Sequence, residues 1–88
     1  MSIPVGENQL FKCEFDGRPT PQVRWLYQGE PLEASERFVF DEEGAELTLM
    51  DAHAEDSGRY TCEGINRAGT AAYNVSLLVG GLYMYLMH

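Results

Sequence analysis

Positive charge is scarce in this sequence. Six Lys and Arg residues stand against 14 Asp and Glu, giving a net charge of −8 at pH 7. A surface that negative repels phosphate backbones, which argues against nucleic acid as a partner. It suits anionic membrane surfaces no better. Long apolar runs are missing too. None reaches the ~18 residues of a membrane-spanning helix, so no membrane insertion is expected. Cysteine is limited to two residues, one bridge at most, and the count alone does not reveal a compartment. Only His53 and His88 could join them as metal ligands, too few at suitable spacing for a site. No phosphate-binding glycine loop occurs, so no metal or other cofactor is expected. There is no internal repeat and no low-complexity segment. Met1-Ser2-Ile3-Pro4 leads straight into patterned sequence, with no secretory leader expected there, and leaves the signals of a longer parent chain open.

What remains is a chain of 88 residues with 44% apolar content, ordinary for a globular domain and near the size where one core just suffices. Its pattern is short alternating runs divided by turn residues. In "QLFKCEF", Phe11, Cys13 and Phe15 share one face, and Leu10, Lys12 and Glu14 the other. That is the period of a half-buried strand. "DGRPTP" ends the run. "QVRWLY" aligns Val23, Trp25 and Tyr27, and "QGEP" turns the chain. "RFVF" and the acidic turn "DEEG" lead to "AELTLM", where Leu47 and Leu49 share a face. "RYTCEGI" groups Tyr60, Cys62 and Gly64, and "NRAG" turns. "AAYNVSLLV" aligns Ala71, Tyr73, Val75, Leu77 and Val79. "DAHAEDSG" has helical composition but is too short to stand alone, and is read as a connecting turn. Several such strands bounded by turns predict an all-β sandwich or barrel.

Four positions choose between the two. Cys13 lies in one strand, Trp25 in the next and Cys62 in a strand near the end, with Tyr60 two residues before that cysteine in "DSGRYTC". This is the pattern of a cysteine pair, a tryptophan packed on it and a tyrosine corner. The chain resembles an I-set immunoglobulin domain. The matching words are "GENQLFKC", "GRPTPQVRWLYQGEPL", "AELTLMDAHAEDSGRYTCEGINRAG" and "NVSLLV". They cover about Val5 to Val79, and the short interval from Trp25 to Cys62 favours the I-set over the variable type.

The resemblance implies two antiparallel sheets of about seven strands. It implies that Cys13 and Cys62 pair, with Trp25 and Leu47 in the core. Closing that loop would stabilise the fold by about 4 kcal/mol, whereas in a reducing compartment both thiols would pack as small hydrophobes. It also implies that the Tyr60 hydroxyl bonds back to the turn through Gly58, and that Asp56 in that turn pairs with Arg37. The first strand is expected to be short or missing, leaving one sheet edge open. The domain is expected over residues 1–80, with 81–88 an apolar tail or linker.

Other candidates carry little. Ser57, His53 and Asp56 evoke a hydrolytic triad, but residues of one exposed turn offer neither a pocket nor an oxyanion site. Glu42 and Glu43 read as the solvated tip of a strand connection. Asn74-Val75-Ser76 is a glycosylation acceptor, with Asn74 expected on the exposed face. The expected function is therefore non-enzymatic: a structural and protein-interaction module of a larger muscle or cytoskeletal protein, in the cytoplasm. The alternative is an extracellular module of a cell-adhesion molecule or receptor. Partners would be proteins, including neighbouring immunoglobulin domains, met through strand edges or loops, with self-association through the open edge and tail.

Overall fold

The computed structural model describes residues 1–80, so the expected tail lies outside the described residues. Eight strands are formed: β1 (Ser2–Ile3), β2 (Gln9–Lys12), β3 (Gln22–Tyr27), β4 (Glu30–Pro31), β5 (Phe38–Phe40), β6 (Glu46–Leu49), β7 (Gly58–Asn66) and β8 (Gly69–Val79). They make two sheets, one in the order β1-β8-β7-β3-β4 and one in the order β2-β6-β5. The all-β sandwich expected from the alternation is thus present. Its eight strands, against about seven expected, include two of only two residues. One is β4, within the stretch read as a turn. Gln28 and Gly29 both have positive φ, the backbone of a tight two-residue hairpin turn, and this folds Glu30–Pro31 back onto Leu26 and Tyr27. The other is β1, the expected short first strand. It pairs in parallel with β8, and no strand lies beyond β2 among the described residues. "DAHAEDSG" closes into a single 3-10 turn over Ala54–Asp56.

Alternation decides what lies between the sheets. Phe11, Cys13, Trp25, Leu47, Leu49, Tyr60, Cys62, Leu77 and Val79 are all buried together. Each comes from the face that period two assigns inward. Three aromatic rings bind the layers at one end: Tyr60 lies 5.0 Å from both Phe11 and Tyr27, centroid to centroid. Such pairs contribute about 0.5–1.5 kcal/mol beyond their buried area. The Trp25 Nε1–H donates to the Gly44 carbonyl over 2.7 Å, so its polar edge is satisfied while the ring fills the core.

The face expected for β8 is formed but only partly buried. Ala71, Tyr73, Val75, Leu77 and Val79 do share a side, since Tyr73 stands opposite Cys62 and Val75 opposite Tyr60. Burial nevertheless begins only at Val75, and Tyr73 is 70% exposed. The reason is the open edge. No strand lies beyond β2 among the described residues, so Tyr73 borders a cleft at the side of the sandwich with Leu10 and Phe11.

Candidate functional site

The turn before β7 is fixed by backbone acceptors. The Tyr60 hydroxyl, fully buried, donates to the Asp56 carbonyl over 2.8 Å. Burial, helped by the negative charge of Asp56, pushes its pKa well above the ordinary tyrosine range. The phenol therefore remains a neutral donor. Asp56 Oδ2 accepts from the Arg37 guanidinium and, at 2.7 Å, from the His53 backbone N–H. Arg37 is thus the partner that the family resemblance implied. Gly58 follows with φ +146°, a backbone conformation that side chains rarely adopt, and a Cβ there would also press on Gln28 Oε1 at 2.9 Å.

Two further anchors were not foreseen. Tyr27 donates its hydroxyl to the Ser57 carbonyl over 2.6 Å, and Gln28 Oε1 accepts from the Arg59 N–H over 2.7 Å. The alternation placed Tyr27 inward but gave no sign of the acceptor beyond its ring. Nothing in "QGEP" distinguishes Gln28 from an exposed turn residue.

The same geometry dissolves the imagined triad. His53 Nε2 lies 3.6 Å from Asp51 Oδ2, and Asp56 is committed to Arg37 and main chain. Ser57 Oγ accepts from the Val79 N–H over 2.9 Å. The three side chains do not converge on a common point. Glu42 and Glu43 are exposed at the β5–β6 turn. Among the described residues, no cluster of three or more His, Cys, Asp or Glu could hold a metal ion.

Cys13 and Cys62 form a disulfide between the sheets, with Cα atoms 6.5 Å apart. Cys62 stands directly opposite Trp25 on the neighbouring strand. Leu47 is fully buried against the same core. Asn74 is exposed on β8 and accepts from the Thr61 hydroxyl over 2.6 Å.

The surface that stands out is the side of the sandwich along β2. The Cys13 N–H donates to the Ala45 carbonyl, so odd-numbered residues of β2 turn their backbone toward β6. In an antiparallel ladder the alternate residues then turn theirs away. Leu10 and Lys12 therefore present backbone donors and acceptors to an edge with no strand beyond it among the described residues. Gln9 partly covers this edge, its side-chain Nε2 donating to the Leu10 carbonyl over 2.8 Å. Beside the edge a cleft of about 200 Å³ opens between the sheets, lined by Phe11, Cys13, Trp25, Cys62, Tyr73 and Val75. An unpaired edge next to apolar side chains can accept another extended segment.

The immunoglobulin I-set domain model matches residues 1–79. Neural cell adhesion molecule 1-B of Xenopus laevis is 38% identical over 76 residues, covering 85% of this chain and 7% of that protein. Telokin of Meleagris gallopavo is 34% identical over 82 residues, covering 90% of this chain and 53% of that protein. Among solved structures, the titin M10 and obscurin-like 1 Ig complex matches with 36% identity and a TM-score of 0.81, over 89% of this chain and 82% of that one. The chain spans about half of telokin and a small part of the adhesion molecule. Similarity over nearly the whole sequence, to muscle and adhesion proteins alike, leads to one conclusion: this chain belongs to the immunoglobulin I-set family.

Proposed function

We propose that this domain is a non-enzymatic structural and protein-interaction module, one bead of a longer multi-domain protein, which meets its partners along open strand edges. The observation that carries this reading is the unpaired β2 edge beside its apolar cleft. Backbone groups of Leu10 and Lys12 supply affinity for an extended segment, and the cleft supplies side-chain contact. The matched titin M10 structure is a complex of two immunoglobulin chains, which supports protein partners of the same kind.

Two settings divide the relatives. Similarity to titin and telokin supports a muscle or cytoskeletal parent, the setting preferred from sequence. The closed Cys13–Cys62 bridge and the exposed acceptor Asn74 support an extracellular parent related to adhesion molecules. We give the second setting more weight, because disulfides persist in oxidising compartments and are rare in the cytosol.

One preparation tests both parts. The parent protein is taken from native tissue into an alkylating reagent without reductant, after amine cross-linking through Lys12, the single lysine of the sequence. A bridged cysteine pair is expected, together with cross-links from Lys12 to another domain or protein. Two alkylated thiols would return the domain to the cytoskeletal setting. The absence of any cross-link from Lys12 to another domain or protein would remove the β2 edge from the reading.

A further inference from the structure

Asn74 is the only asparagine of the sequence followed two residues later by Ser or Thr, in Asn74-Val75-Ser76. Its position adds several facts to the motif. Asn74 and Ser76 lie two residues apart on β8 and share one face, both exposed. That face points away from the three-stranded sheet, because the alternate residues Val75 and Leu77 pack inward. Among the described residues the backbone at this point is uncovered as well. The Leu78 and Gly80 N–H groups donate to the Met1 and Ile3 carbonyls, so even-numbered residues of β8 turn their backbone outward. β1 pairs only with Leu78 and Val79. The carboxamide itself is oriented by its oxygen, which accepts from the Thr61 hydroxyl over 2.6 Å. Its nitrogen makes no hydrogen bond among the described residues.

We propose that Asn74 carries an N-linked oligosaccharide in the mature protein, an inference that rests on the extracellular setting. The co-reactant is an oligosaccharide on a lipid diphosphate. Asn74 Nδ2 forms a bond to the anomeric carbon of the first sugar, and the bond from that carbon to the diphosphate oxygen breaks. The diphosphate leaves with the electron pair, and Nδ2 gives up one proton. The product is still an amide, so its oxygen keeps the bond from Thr61 and the sheet is undisturbed. Sugar at this point stands over the outer face around Thr61 and the Arg24–Glu63 ion pair. It leaves the cleft beside β2 open.

The test is secreted expression of the full chain behind a leader in eukaryotic cells, read by intact mass before and after a glycosidase that converts the linked Asn to Asp. The wild type is expected to carry one oligosaccharide, removed by the enzyme with Asp left at position 74. Asn74→Gln and Ser76→Ala are expected to secrete folded and bridged but without sugar. A wild-type chain secreted with its disulfide closed and Asn74 unmodified would overturn the proposal, while leaving the extracellular setting intact. Sugar surviving in Asn74→Gln would overturn it too. Alkylated thiols in the native parent would instead defeat the extracellular setting, whatever the secreted chain carries.

Discussion

At the scale of single residues, the turn before β7 turns buried polar chemistry into stability. Tyr60 is held neutral in the fold, and its pKa lies above that of the unfolded chain. Above pH ~10 the unfolded state releases a proton that the folded state retains, so stability present below that pH is lost as pH rises further. Urea denaturation across the alkaline range should show this decline, and Tyr60→Phe should flatten it. At neutral pH the same variant should cost about 1–3 kcal/mol, because the Asp56 carbonyl loses its buried donor. An unchanged alkaline profile in Tyr60→Phe would assign the decline to other groups. Gly64 gives a second expectation. A Cβ there would lie 2.6 Å from the Phe15 ring. Gly64→Ala must therefore displace the ring, at a cost of about 1–3 kcal/mol measured by urea unfolding, and Phe15→Ala in the same chain should relieve part of it.

At the scale of elements, the two sheets differ in how their strands are used. β6 has neighbours on both sides, whereas β2 has one. Lys12→Pro removes a backbone N–H that faces outward, so the β2–β6 ladder survives and the loss should be below about 1 kcal/mol. Thr48→Pro, in the middle of β6, breaks the ladder and should cost about 3 kcal/mol or more. Equal losses in urea titrations would contradict the assignment of β2 as the open edge. Much of this scale was legible in the sequence. Period two in "QLFKCEF", "QVRWLY" and "RYTCEGI" assigned the inward faces, because every second side chain in a strand must point the same way. β1 and β4 escaped, since two residues carry no period. Tyr73 escaped for another reason: alternation says which way a side chain points, not whether anything stands opposite. Where the opposing sheet ends sideways, here at β2 among the described residues, is a property of the whole fold. The Asp56–Arg37 pair came from family resemblance, while the hydroxyl bond of Tyr27 depends on a carbonyl 30 residues away.

At the scale of the whole molecule, the first and last described strands lie side by side and run in the same direction. Tension applied through the two ends of the domain therefore slides β1 along β8. The bonds between Met1 and Ser76, Met1 and Leu78, and Ile3 and Gly80 then bear load together instead of parting one by one. Once that contact yields, the disulfide caps the extension. It shortcuts the chain between Cys13 and Cys62, 49 residues apart in sequence, so a bridged domain can release only the length outside the loop. Single-molecule pulling should show about 160 Å more extension per domain after reduction. The same extension in both states would mean the bridge is not closed. In a bridged state the domain is a short, self-limiting spring, and in a reduced state a long one. The redox state of one cysteine pair thereby sets how far each such domain can stretch.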